Sequence, residues 1–194
     1  MTDDDAVETF YTDERWQNWL DRLAEEDLDP ENEDSARLLL NLQDDAAIAV
    51  AKVLAAFDDD RIDEERAVEE VRDIRDIVLA DVEFDDEDKV MLIDGVQTSL
   101  GPVFYAAEEY LVGGVVDGDV SEFVRAAAEA EEGDDLDAAL GYVVQAGTRV
   151  IDGEALDIAL VQDLEPGLVS AWLHGLDPLQ PAIDDPALLP DAAC

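Results

Sequence analysis

Apolar residues recur along this chain at intervals of three and four, the spacing that aligns side chains on one face of an α-helix. The first such segment carries Trp16, Trp19, Leu20 and Leu23. Thr12 precedes it as an N-cap, and Asp13 and Glu14 stand in the first turn, where the helix dipole favours acids. Tyr11 before the cap and Trp16 at the fourth helical position fit a hydrophobic staple, and Pro30 closes the segment. A second helix opens after Asn32 or Ser35 and runs to about Phe57, with Leu39, Leu42, Ala46, Val50, Val53 and Phe57 in phase. Leu40, Ile48 and Ala51 extend its apolar surface beyond that stripe, which predicts a central position in a bundle.

Asp58, Asp59 and Asp60 form a loop, and Asp63 or a neighbour caps a third helix with Val68, Val71, Ile74 or Arg75, and Val78 on its apolar side. The fourth starts after Asp85 and reaches about Val112, with Ile93, Val96, Leu100, Phe104, Ala107 and Leu111 in phase. Gly101-Pro102 predicts a kink or a break in it, because proline removes a backbone donor and crowds the preceding turn. Gly113-Gly114 ends it, and Asp119 with Glu122 resembles a capping box opening a fifth helix through about Ala130. Gly133-Asp134-Asp135 separates that from a sixth, which carries Leu136, Leu140, Val143, Val144 and Val150. Short helices follow near 155–164 and 168–176. No clear two-residue alternation marks a strand. The expectation is an all-α, single-domain bundle of about six to eight helices over residues 10–177. A disordered acidic stretch, 1–9, precedes it, and a proline-rich irregular tail, 178–194, follows.

This organisation carries a resemblance. The segments YTDERWQNWLDRL (Tyr11–Leu23), DSARLLLNLQDDAAIAVAKVLAAF (Asp34–Phe57) and GVQTSLGPVFYAAEEYLVGG (Gly95–Gly114) resemble an uncharacterised domain-of-unknown-function family of archaea, mainly haloarchaea. The likeness covers roughly residues 10–180. It implies a haloarchaeal cytoplasmic protein and brings with it no activity, cofactor or catalytic residue.

Charge changes the picture of where such a bundle works. The 194 residues include 53 Asp and Glu against 11 Lys and Arg, a net charge of −42, while 48% of the residues are hydrophobic. A disordered polyanion lacks that much apolar material. The acids run the length of the chain rather than in one block, and among the bases only Lys52 and Lys89 are lysine. Self-repulsion of this size opposes compactness in dilute salt, whereas in molar salt the Debye length is about 3 Å and the repulsion is screened. The pattern predicts a protein of a salt-saturated cytoplasm whose helix content falls in dilute buffer. Nucleic acid is an unfavourable partner, since even the densest arginine cluster, Arg61 to Arg75, lies among acids. The N-terminus lacks a signal peptide's basic and apolar regions. The longest uncharged run, Gly95 to Ala107, is too short to span a bilayer.

Motifs for chemistry are sparse. His174 is the sole histidine and Ala171 stands three residues before it, so the Glu-x-x-His pairs of a di-metal bundle are missing. Neither lysine sits in a P-loop, and Ser35, Ser99, Ser121 and Ser170 lack a nucleophile-elbow context. The single Cys194 is an incidental thiol near the end of this sequence. The loop following the second helix fails as a calcium loop, because Ala55 and Phe57 fall where oxygen ligands are required. Weak, non-specific cation binding by Asp58–Asp60 is the remaining metal chemistry, and no cofactor is implied. Two acidic pairs have apolar surroundings: Asp44-Asp45 and Glu108-Glu109, both read as surface.

Contact with another protein, as a homodimer or an accessory subunit, is therefore the leading expectation. The interface is expected on the first two helices, at Trp16, Trp19, Leu40 and Ile48. The alternative is an enzyme or small-ligand protein with an inter-helix pocket near Tyr105, Glu108 and Gly101-Pro102, in which Glu108 borders the core and has a raised pKa.

Overall fold

The computed structural model describes residues 9–26, 28 and 32–184, all helix and connecting loop with no strand among them. The helices are α1 (Asp13–Glu25), α2 (Glu33–Asp58), α3 (Glu64–Val78), α4 (Glu87–Gly113), α5 (Val120–Glu132), α6 (Leu136–Ile151), α7 (Ile158–Gln162), α8 (Leu168–Leu176) and α9 (Leu179–Asp184). The all-α bundle read from the spacing is the fold. Pro30, Cys194 and residues 1–8 lie outside the described residues.

The acidic composition is put to use at the helix starts. Thr12, Asn32, Asp63, Asp86, Asp119 and Asp135 each accept a hydrogen bond from the backbone N–H of the second or third residue of the helix they precede. Each satisfies a donor that the helix cannot pair internally. Asp119 and Glu122 complete the capping box reciprocally. At two helix exits aspartate also takes the left-handed conformation that glycine usually fills, Asp60 at φ 56° and Asp134 at φ 58°.

The centre is shared by α2 and α4. Helix α2 packs against α3, α4, α8 and α9, while α4 packs against α2, α3, α6 and α8. Small residues let α4 and its neighbours approach closely. A Cβ on Gly147 of α6 would lie 2.5 Å from the Ala106 Cβ, and one on Gly175 of α8 would lie 1.8 Å from the Ser99 carbonyl oxygen. Close packing at these crossings leaves no room for a side chain.

Two expectations change. Helix α4 does not break at Gly101-Pro102: it is continuous from Glu87 to Gly113, with Pro102 buried inside it. The lost Pro102 donor leaves the turn intact because helices on several sides hold α4 in place. The chain after 177 is not irregular throughout, since Leu179–Asp184 forms α9, with Leu179 and Ala182 buried. Pro181 is compatible with that helix because it falls in the first turn, where an N–H has no intrahelical acceptor anyway. Residues 185–194 lie outside the described residues.

Candidate functional site

The four residues expected to share an interface on the first two helices fall in two places. Trp16 is buried in the core, and Trp19 is half-buried with its indole Nε1 donating to Asp45 Oδ2 at 2.9 Å. Tyr11 donates its hydroxyl to the same oxygen at 3.1 Å, and Arg15 Nε lies 3.1 and 2.9 Å from the two carboxylate oxygens. A second Arg15 nitrogen, Nη2, also donates to Asp45 Oδ1, making the pair bidentate. The Arg15 guanidinium further lies 5.8 Å from the Tyr11 ring centroid. Asp45 is therefore the anchor of α1 on α2 and is only 9% exposed, which corrects its reading as a surface acid. Burial pushes its carboxyl up, but the hydrogen bonds from Arg15 and Trp19, the Arg15 charge and the Tyr11 hydroxyl together hold it below the ordinary carboxylate range. The Tyr11 hydroxyl is pushed well above its ordinary value, first by burial and then by the adjacent Asp45 charge. Lys89 of α4 fastens the other end of α1, donating to the carbonyls of Leu23, Ala24 and Glu26 at 3.1, 2.8 and 2.7 Å.

Glu108 is likewise committed inside the fold. It accepts from Arg72 Nε at 2.9 Å and Arg75 Nη1 at 2.6 Å, so two arginines of α3 clamp one carboxylate of α4. Tyr105, one turn earlier, is exposed, and Gly101 is half-buried. The geometry at Glu108 is that of an ion pair joining two helices.

Leu40 and Ile48 have a different setting. Together with Asp44 they follow one another at four-residue steps along a single flank of α2. That flank forms one wall of a groove of about 510 Å³. The facing wall comes from Leu156, Ile158, His174, Asp177, Pro178 and Pro181, more than a hundred residues later in the chain. Leu40 is 56% exposed and Ile158 42% exposed, while Ile48 is half-buried. The groove floor is fixed by polar contacts. Gln43 Nε2 donates to the His174 carbonyl at 2.8 Å, and Ser99 Oγ lies 3.2 Å from Gln43 Oε1, joining α2, α8 and α4. The His174 ring turns back on its own helix, with Nδ1 2.6 Å from the Ser170 carbonyl oxygen. The Asp44 carboxyl is pushed up, first by burial and then by the like charge of Asp177.

The structure thus separates Trp16 and Trp19, spent on the α1 contact, from Leu40 and Ile48, which face the groove. Sequence reasoning missed Asp45 as an anchor, yet a signal was present. Arg15 and Trp19, four residues apart, set two hydrogen-bond donors on one side of α1, and Tyr11 stands just ahead of its N-cap. For Ile158, Asp177 and Pro181 no local signal exists, because only the tertiary fold brings them opposite α2.

Among the described residues, no group of three or more His, Cys, Asp and Glu side chains is placed to hold a metal ion. No helix of the described residues is long and apolar enough to cross a membrane. An all-helical domain with an apolar-walled groove between α2 and residues of α7, α8 and α9 is the class that fold and site define. Residues 9–191 match the family described as an uncharacterized protein conserved in archaea (DUF2150), and the chain belongs to that family. Neither the curated proteins nor the solved structures contain a match.

Proposed function

We propose that this protein works by protein–protein contact in a salt-rich archaeal cytoplasm, offering the groove between α2 and the α8–α9 corner to a partner. The observation that carries the reading is the pair Leu40 and Ile158, left 56% and 42% exposed on opposite walls of one concave surface, with Ile48 beside Leu40 on the α2 wall. An apolar concavity of this kind loses free energy to water until something covers it. Of the other residues of the expected interface, Trp16 is buried in the core and Trp19 is half-buried, donating its indole N–H to Asp45. The salt-rich setting is supported by the charge of −42 and by its spread over the whole chain, which molar salt screens.

The test is a tagged pull-down at multi-molar KCl, comparing the wild-type chain with Ile48→Asp and identifying retained proteins by mass spectrometry. A partner held stoichiometrically by the wild type is expected to be lost from Ile48→Asp while the circular dichroism of the variant is unchanged. Retention of the same partner by Ile48→Asp, or recovery of the wild type alone, would sink the proposal.

A further inference from the structure

We infer that the occupant of the α2–α8–α9 groove is an amphipathic helical segment of a different protein, one that sets a basic side chain between apolar anchors. The inference rests on the interaction reading above and adds the chemistry of the partner. The apolar wall from Leu40 to Ile48 covers two helical turns, about 12 Å at 1.5 Å per residue, the span of an i, i+4 pair of anchors with one turn to spare. Between those anchors the groove is acidic. Asp44 stands one turn from both Leu40 and Ile48, and Asp177 lines the facing wall, so two like charges border the same groove. Among the described residues neither carboxylate forms an ion pair, whereas Asp45, its neighbour in sequence, is held by Arg15.

This arrangement discriminates between occupants. A wholly apolar segment would cover Asp44 and Asp177, both exposed to water in the free protein, and offer neither a charge nor a hydrogen bond in return. A second copy docked by a two-fold axis on the same surface would enclose both protomers' Asp44 and Asp177 with no lysine or arginine from the groove lining. A guanidinium or ammonium group entering between Asp44 and Asp177 relieves the repulsion and satisfies both carboxylates, while its apolar flanks cover Leu40, Ile48 and Ile158.

The experiment is selection of a displayed random-peptide library on the full chain in multi-molar KCl, with counter-selection on Ile48→Asp. Peptides carrying Arg or Lys between Leu, Ile or Phe at helical spacing are expected. Their affinity is expected to fall about tenfold or more on the Asp44→Asn/Asp177→Asn double variant, as for the loss of a charge-assisted contact. Asp44→Asn alone gives a smaller loss in the same direction and serves if the double variant does not fold. Selected peptides without a basic residue, or with equal affinity for wild type and the Asn variants, overturn the charge inference and leave the groove reading standing. Failure to obtain any peptide that distinguishes wild type from Ile48→Asp overturns the groove reading and the inference with it. Sedimentation equilibrium showing a wild-type dimer that Ile48→Asp disperses would name a second copy as the occupant and overturn the inference.

Discussion

The two flanks of α2 meet the same problem, an aspartate beside apolar residues, and solve it in opposite ways. On one flank Asp45 accepts hydrogen bonds from Tyr11, Arg15 and Trp19, and α1 closes over it. On the other, Asp44 faces Asp177 across an open groove with Leu40 and Ile48 on either side. Two acids adjacent in sequence thus have opposite relations to their surroundings. In a chain this acidic the presence of a carboxylate says little; what it is paired with distinguishes a structural anchor from an open surface. The α1 flank is a finished interface, and its chemistry of donors converging on one buried acid shows what the groove flank lacks.

The comparison can be broken most forcefully at Gly175, whose close approach to α4 sets the position of the groove's far wall. Gly175→Ala places a methyl group against the Ser99 carbonyl, a backbone atom that cannot rotate away. A loss of about 3 kcal/mol in denaturant unfolding at high salt is expected, the upper end of the usual cost of overpacking. Peptide binding at the groove should weaken with it, while the Asp45 contacts of α1, on the other side of α2, persist. A variant as stable as wild type would show that α8 has room to move and that the groove wall is not fixed there.

A smaller effect is expected at the finished flank. Asp45→Asn leaves Arg15 without its ion pair and weakens the acceptor for Trp19 and Tyr11, and should cost about 2 kcal/mol at neutral pH. The folded-state pKa of Asp45 is lowered, so its contribution is present above the unfolded carboxylate pKa of about 3.9 and is lost as pH falls through the lower folded value. The stability difference between wild type and Asp45→Asn should therefore shrink as acid is added below about pH 4. A difference that is independent of pH would show that the carboxylate charge is not what secures α1.

The smallest effect has the opposite sign. The folded-state pKa of Asp44 is raised, so the ionised group is disfavoured by folding once the pH exceeds the unfolded value. Asp44→Asn is expected to stabilise the protein at neutral pH, by no more than about 0.5 kcal/mol because solvent and salt screen an exposed site. A clear destabilisation would mean that Asp44 has a partner within the fold and that the two flanks of α2 are alike.

Much of this was legible without coordinates, and particular residues show why. Thr12, Asp63 and the Asp119–Glu122 box mark helix starts because capping is a contact between residues two or three apart. Leu40 and Ile48 stood out because two four-residue steps keep them on one side of the helix whatever the rest of the chain does. The continuity of α4 through Pro102 was not legible, since proline's local effect was offset by packing from distant helices. Nor was α9, where Pro181 resembled a helix breaker until its place in the first turn was known.

The sequence by itself determined the helical class, most helix ends and the overall charge, because each depends on neighbours within a turn or on composition alone. Only the tertiary structure decided which of two adjacent aspartates would be an anchor, that Trp16 and Trp19 would turn inward, and that Glu108 would pair with Arg72 and Arg75. It also decided that the flank carrying Leu40 and Ile48 would face a wall built from Ile158, Asp177 and Pro181. The reason is physical: periodicity fixes which residues share a face, but the partner of that face is chosen by the packing of helices far apart in the chain.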